Sequence, residues 1–212
     1  MKNKKDMEVM SEGQWAREQF ETRFKKELET AGFKIVKGSG KWGKSDKLVV
    51  RDKKGFDRIT SSENGEIGYS FIAECVRLVD RWKAVHELEK LYPQMAALGW
   101  HCDPVFDMVK SFSLIMHDGS ERTIPLTLLS IHKLAEEMEV RMRDAKVVGA
   151  YPQMAEFGWE VDFTGHTVRI EEENTPTYNM DNKKKYTTYD YQKKEDFEAL
   201  MIYYNHVIGM MQ

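Results

Sequence analysis

The sequence has few cysteines: Cys75 and Cys102 are the only two in 212 residues. Two thiols are too few for a disulfide framework or a four-thiolate zinc site, and they do not form a Cys-x-x-Cys pair. Cys75 falls on the apolar face of a predicted helix. We therefore expect both cysteines to be reduced and to have structural roles.

The sequence also lacks long apolar runs. No stretch approaches the roughly 20 apolar residues that span a bilayer, and the charged first ten residues do not resemble a signal peptide. Proline-rich and low-complexity linkers are absent as well. These absences predict a cytoplasmic globular protein without membrane contact, whose units pack directly against one another.

Clusters of metal-binding or catalytic residues are missing too. The six histidines are scattered, and none has the His-x-x-x-His spacing of a helical zinc site. His101, Cys102 and Asp103 are consecutive, and on a strand the cysteine points away from the other two. The sequence thus predicts no metal, no cofactor and no catalytic residue, and an enzyme is the less favoured class.

What the sequence does contain is a duplication. Residues 92–100, YPQMAALGW, return as residues 151–159, YPQMAEFGW, with seven of nine positions identical at a spacing of 59. Glycine ends a helix readily in the left-handed conformation, and the following residue folds back onto the last turn. We predict architectural roles for Tyr92, Pro93, Gly99, Trp100 and Asp103 and for Tyr151, Pro152, Gly158, Trp159 and Asp162.

Two details of the repeat carry separate expectations. Pro93 and Pro152 are expected to kink their helices or to start short final helices over 94–98 and 153–157. Asp103 and Asp162 are expected to cap local backbone groups, which is commoner than a role as paired catalytic carboxylates.

Helix and strand patterns divide the chain into units. Ser11 and Gln14 form a capping-box pattern that starts a helix over 12–31, and further helices begin near Ser70, Thr127 and Lys194. The predicted strands are 33–37, 47–51 and 66–70; 100–105, 111–117 and 122–126; and 159–163, 167–172 and 186–191. We predict an α+β fold with a leading helix (1–32) and three tandem β-β-β-α units (33–92, 93–151 and 152–212), whose long helices pack between or against small antiparallel sheets.

Positive charge is concentrated in the first unit. Residues 33–58 hold nine Lys or Arg and three Asp, a net charge of +6, whereas the whole chain carries −3. Such a segment can neutralise phosphates, and a tryptophan at a loop tip can stack on a base; a solvated lysine-rich face explains the pattern equally well. The candidate nucleic-acid-binding residues are Lys34, Lys37, Lys41, Trp42, Lys44, Lys47, Arg51, Lys53, Lys54 and Arg58.

The same segment matches a phosphate-binding loop. Residues 38–45, GSGKWGKS, fit the pattern GxxxxGK[ST], with Gly38, Gly43, Lys44 and Ser45 at its defining positions. That loop requires a helix immediately after it, but the following DKLVVR is β-branched and predicts a strand. Nucleotide binding is therefore only a third hypothesis.

The predicted function is non-catalytic binding of a macromolecule, with nucleic acid slightly preferred. The main alternative is a protein-binding adaptor or inhibitor, of the kind that phages and mobile elements encode, acting through the acidic second and third units. Met210 and Met211 are assigned to the core first and to an adhesive surface second. The sequence predicts neither the partner nor the oligomeric state.

Overall fold

The structure, a computed structural model, describes residues 10–39, 46–62, 65–105, 109–172 and 186–211. Within these residues, three antiparallel sheets of three strands alternate with helices, which confirms the α+β class and agrees with the predicted repeat. The chain divides into two compact bodies. The first comprises Met1–Pro93 and Trp100–His132, and the second comprises Gln94–Gly99 and Lys133–Gln212.

The leading helix consists of α1 (Glu12–Gln19), a π-helical segment (Phe20–Phe24) and α2 (Lys25–Thr30). Its capping box is confirmed, since the Gln14 N–H donates to Ser11 Oγ and the Ser11 N–H donates to Gln14 Oε1. The π-helical segment was not predicted. Its first and last residues, Phe20 and Phe24, are buried, so both ends of the segment face the core of the first body.

The π-helical segment is explained by the spacing of two buried residues, which is one residue longer before Gly32 than before the other two helix-ending glycines. Phe20 and Leu28 are both fully buried and eight residues apart, and Leu28 lies four residues before the helix-ending Gly32. The equivalent buried pairs, Leu88 with Met95 and Val147 with Met154, are only seven residues apart. A π turn accommodates one additional residue, so Phe20 and Leu28 both stay on the core face of the helix.

The predicted helix ends are confirmed. Gly32, Gly99 and Gly158 have φ angles of 82°, 69° and 75°, in the left-handed region that glycine adopts at low cost. The Phe33 N–H donates to the Leu28 carbonyl over 2.9 Å, and the Trp159 N–H donates to the Met154 carbonyl over the same distance. These bonds fold the following residue back onto the last helical turn. The aromatic residues after the glycines, Phe33, Trp100 and Trp159, are all buried.

The first body contains two of the sheets. Its strands are β1 (Lys34–Ser39), β2 (Asp46–Arg51) and β3 (Asp57–Thr60) in one sheet, and β4 (His101–Cys102), β5 (Ser111–Ile115) and β6 (Glu121–Pro125) in the other. The third strand was predicted over 66–70, and this prediction is wrong. The strand that pairs with β2 is β3, which begins nine residues before the predicted strand. A tight turn through Gly55, with a φ angle of 88°, reverses the chain directly after β2.

One apolar core joins the leading helix, the first sheet and the start of α3 (Tyr69–Ala97). Its central members are Phe20, Phe24, Leu28, Phe33, Val50, Ile59, Phe71, Ile72, Cys75 and Val79. Val50 and Ile59 are strand residues of this core, so one side of the sheet packs against the helices. Val49, which is adjacent to Val50 and therefore projects from the other side, is also buried.

The second body is built around β7 (Glu160–Asp162), β8 (Thr167–Glu171) and β9 (Tyr186–Asp190), with α5 (Lys194–Met211) and most of α4 (Leu128–Glu156). Its core contains Val147, Met154, Trp159, Val168, Ile170, Tyr191, Phe197, Leu200 and Tyr204. Both α3 and α4 continue through their prolines, so the separate short helices predicted over 94–98 and 153–157 are wrong. Pro93 and Pro152 are exposed, and the carbonyl that each leaves unpaired belongs to an exposed residue, Glu89 or Val148.

Candidate nucleic-acid interface

The two faces of the β1–β2 hairpin differ in chemistry. Lys34 pairs with Arg51, Val36 with Val49 and Gly38 with Lys47, and residues paired in this way project from the same side of a sheet. Ile35, Leu48 and Val50 project from the other side and pack against the core. We call the first side the outer face; its residues are Lys34, Val36, Gly38, Lys47, Val49 and Arg51.

The outer face gathers only part of the predicted basic set. The register places Lys37 opposite Leu48, on the other side of the sheet. Lys53 lies across the helix end, since a Cβ at Gly32 would collide with Lys53 Cε. Lys54 is exposed in the turn between β2 and β3. The described lysines of this segment therefore do not converge on a single patch.

Two predicted arginines have carboxylate partners within the protein. Arg51 Nε lies 2.7 Å from Asp57 Oδ1, and this hydrogen bond raises the pKa of the guanidinium. Arg58 Nε donates to Asp52 Oδ2 over 2.8 Å. Among these side chains, the outer face therefore carries three cations, Lys34, Lys47 and Arg51, of which Arg51 pairs with Asp57 and Lys47 also has an interaction within the chain.

Asp52 organises the turn that follows β2. Its Oδ1 accepts hydrogen bonds from the Lys54 N–H, over 2.9 Å, and from the Phe56 N–H, over 2.8 Å. Partial burial alone raises the pKa of Asp52, but the hydrogen bonds from Phe56 and Arg58 outweigh it and keep that pKa below its usual range. Arg58 is thus committed to closing the turn rather than to an external phosphate.

The segment that matches a phosphate-binding loop lies between two antiparallel strands. Gly38 belongs to β1, whereas Lys41, Trp42, Gly43, Lys44 and Ser45 lie outside the described residues. The next element is β2, which pairs back onto β1, so a strand takes the place of the helix that such a loop requires. This topology places a strand, and not a helix N-terminus, where a bound phosphate would need backbone N–H donors, so it does not favour nucleotide binding.

The repeated tyrosines and aspartates differ between the two copies of the repeat. Tyr92 is half-buried, hydrogen-bonded to the Val105 backbone and close to Cys102, and burial raises its pKa. Tyr151 is exposed and meets Phe163 edge-on, with ring centroids 5.2 Å apart. In the same body, Asp162 Oδ1 accepts hydrogen bonds from the N–H groups of Thr164 and Gly165, each 2.9 Å long.

Asp103, the counterpart of Asp162, is exposed. Each aspartate belongs to a different compact body. Asp162 therefore has the geometry of a backbone cap in a turn, and the structure gives no support for a carboxylate pair.

A polar groove of about 780 Å³ lies between the start of α1 and the connection from β3 to α3. Glu12, Arg17, Ser61 and Glu66 are among its lining residues. The helix ends that border it already have partners: Ser11 Oγ caps α1, and Glu12 Oε1 accepts a hydrogen bond from the Tyr69 N–H at the start of α3. One backbone donor at the start of each of these helices therefore already has a partner within the chain.

The exposed face of α5 is a second candidate surface, of which sequence reasoning identified only Met210 and Met211. Ile202 is 71% exposed, Tyr203 41% and Met210 68%. The available signal was the complete lack of Asp, Glu, Lys and Arg after Glu198. Met211 is also exposed, so the assignment of these two methionines to the core is wrong.

Over the described part of the chain, no cluster of three or more His, Cys, Asp or Glu side chains is arranged to hold a metal ion. No described helix combines the length and apolar character needed to cross a membrane. Comparisons of this chain with protein-family models, curated proteins and solved structures yield no match. Its geometry is thus the basis for any functional proposal.

Proposed function

We propose that the protein is a non-catalytic binding protein that contacts nucleic-acid phosphates through the outer face of the first sheet. The supporting observation is the register of β1 and β2, which gathers Lys34, Lys47 and Arg51 on the side of the sheet opposite the core. Lysine and arginine side chains on one face supply the electrostatic part of nucleic-acid binding.

The spacing of the two lysines suits a duplex. Lys47 pairs with Gly38, which is four residues from Lys34 along β1. At about 3.3 Å per residue, this corresponds to roughly 13 Å, close to the width of about 12 Å of the DNA major groove. Two lysines at this separation reach phosphates on both edges of the groove. Val36 and the buried Val49 lie between them on the same face.

The experiment measures binding of a 20-base-pair duplex by fluorescence anisotropy at several salt concentrations. The variant Lys34→Ala/Lys47→Ala is expected to bind more weakly, with the slope of log affinity against log salt reduced by about 2, because each lysine that neutralises a phosphate contributes about one unit. A matched control is Lys133→Ala/Lys194→Ala, which removes two exposed lysines elsewhere. The control is expected to retain the wild-type slope.

Two results contradict the proposal. One is binding that does not weaken with salt, since phosphate contacts release counterions. The other is an equal loss of affinity in both double variants, which would show that only net charge matters. Circular dichroism of each variant verifies that the fold is retained.

A protein-binding adaptor or inhibitor is the second candidate function, and one observation in the second body favours it. Tyr151 and Phe163 form an exposed aromatic pair, next to the exposed Val148 one helical turn from Tyr151. Exposed aromatic clusters are typical of binding sites for other proteins. If this surface binds a partner, Tyr151→Ala/Phe163→Ala will abolish its capture in a pull-down, whereas Lys34→Ala/Lys47→Ala will not. Capture that persists in the aromatic variant excludes this surface.

A further inference from the structure

The exposed face of α5 lacks the charges that its counterparts carry. The buried positions of the three long helices align as Ile72, Cys75 and Val79 in α3, Ile131, Leu134 and Met138 in α4, and Phe197, Leu200 and Tyr204 in α5. The alignment pairs exposed Ala199 with Lys133 of α4 and exposed Ile202 with Glu136. Solvent-facing helix positions are ordinarily polar. The exposed apolar residues of α5 therefore indicate a covered surface.

The exposed uncharged residues of α5 have the spacing of a helix face that packs against another helix. Ala199, Ile202, Tyr203, His206, Gly209 and Met210 recur at intervals of three and four residues, and all are exposed. We call this set the α5 stripe. A partner for it must be uncharged as well, because burying an unpaired charge costs several kcal/mol. The α5 stripe itself satisfies this requirement.

We propose that the α5 stripe is a self-association surface, on which α5 of a second copy of this chain packs antiparallel with His206 at the two-fold axis. In this register, Ile202 lies opposite Met210 of the second copy. Tyr203 lies opposite Gly209. A symmetric contact of this kind pairs one patch with itself and closes as a dimer.

The shapes and charges of the α5 stripe fit this register. Apart from its chain neighbours and the backbone of its own helix, no heavy atom lies within 4 Å of the position that a Cβ on Gly209 would occupy, so this glycine leaves space for a large side chain. Tyr203 supplies one in a fixed orientation, because its ring stacks on Trp159 at 5.5 Å. Glu198 would fall opposite a position beyond Met211, the last residue of α5. The charged start of each helix is thereby kept out of the contact.

The size of the stripe sets the expected strength. In this register eleven helical residues overlap, Met201 to Met211, and they extend over roughly 16 Å at 1.5 Å per residue. Stable interfaces bury about 1,200 Å² or more, whereas this contact is a single short helix pair and belongs with the small, weak interfaces. The dimer is therefore expected to dissociate at micromolar concentrations, on the order of a Kd of 1 to 100 μM.

Sedimentation equilibrium of the full chain tests the surface and the register together. Ile202→Glu and Met210→Lys are each expected to weaken dimerisation at least ten-fold, because either change buries a charge against an apolar side chain. In an equimolar mixture of the two variants, the introduced carboxylate faces the introduced ammonium at one contact while the other contact keeps its native residues. The mixture is expected to form heterodimers. Leu129→Glu, at a position that is 65% exposed on α4, is the control and should dimerise like the wild type.

Gly209→Leu tests the shape argument independently of charge. Leucine favours a helix over glycine by up to about 1 kcal/mol, so the melting temperature of the monomer should not fall. Dimerisation should nevertheless be lost, because the leucine occupies the space of Tyr203 of the second copy. The proposal is overturned by a wild-type chain that is monomeric up to about 1 mM, by a mixture that fails to form heterodimers, or by Gly209→Leu that still dimerises.

Discussion

Tyr203 stacks on Trp159, with ring centroids 5.5 Å apart and ring planes 19° from parallel. Trp159 directly follows the helix-ending Gly158 and is buried, whereas Tyr203 reaches the surface of α5. The Gly-Trp junction of the repeat thus ends one helix and also orients a residue on the next. An architectural element thereby supports a surface proposed to bind a second copy.

Replacing Trp159 with alanine should strongly destabilise the second body. Trp159 contacts Phe157, Tyr203 and Tyr204. Truncating a buried aromatic residue typically costs about 3 to 5 kcal/mol, through lost burial and the cavity left behind. Urea denaturation measures the change. Phe163→Ala removes an aromatic residue that is 42% exposed and should cost much less; equal losses would show that Trp159 is not central to the core.

Two Gly→Ala substitutions in the second body should have opposite effects. Gly158 has a φ angle of 75°, and a Cβ there would meet no atom within 4 Å, so only the backbone strain of about 1 to 2 kcal/mol opposes alanine. Gly149 lies within α4 and has the same open surroundings. Alanine there should stabilise the helix by up to about 1 kcal/mol. Thermal denaturation shows whether each variant is more or less stable than the wild type. A stabilising Gly158→Ala would contradict the assigned helix end.

Deleting Thr22 should convert the π-helical segment into regular α-helix. The deletion shortens the spacing of Phe20 and Leu28 from eight residues to the seven found in the two other copies. The core positions stay on one face, so the free energy of unfolding is expected to change by no more than about 1 kcal/mol. Deleting Val148 from the regular helix α4 turns one part of that helix about 100° relative to the other. That deletion should abolish cooperative unfolding, and the same outcome for the Thr22 deletion would refute the interpretation.

Stability should fall in alkaline solution through Cys75. Burial raises the pKa of its thiol from 9.0 to about 12, with a further contribution from the charge of Glu74. Above pH 9 the thiol ionises in the unfolded chain but not in the folded protein, so the native state binds more protons and unfolding becomes easier as pH rises. This contribution reaches about 1.4 kcal/mol per pH unit.

Urea denaturation at pH 8 and pH 10.5 separates this effect from other ionisations. The loss of stability between the two pH values should be about 2 kcal/mol smaller in Cys75→Ala than in the wild type, because the variant lacks the thiol. Cys102→Ala is the comparison: burial also raises the pKa of Cys102, but this thiol is only partly buried, so the variant should differ less from the wild type than Cys75→Ala does. Equal losses in the wild type and Cys75→Ala would exclude the ionisation of Cys75.

Local sequence predicted the elements that depend on neighbouring residues. The capping box at Ser11 and the helix ends at Gly32 and Gly158 follow from hydrogen bonds and φ angles within a few residues. The β3 strand was misplaced because its place depends on a turn closed by Asp52 and on pairing with β2. Local patterns do not specify such pairing uniquely.

The candidate site likewise combines features that local sequence predicts with features that depend on tertiary contacts. The sequence by itself determined the three repeated units, the helix-ending glycines and the concentration of positive charge in residues 33–58. Only the tertiary structure decided that Lys34 and Lys47 share a face, that Arg51 and Arg58 pair with Asp57 and Asp52, and that the apolar α5 stripe is exposed. The physical reason is that repeats and helix ends arise from short-range geometry, whereas charge pairing and exposure depend on which distant residues the fold brings together.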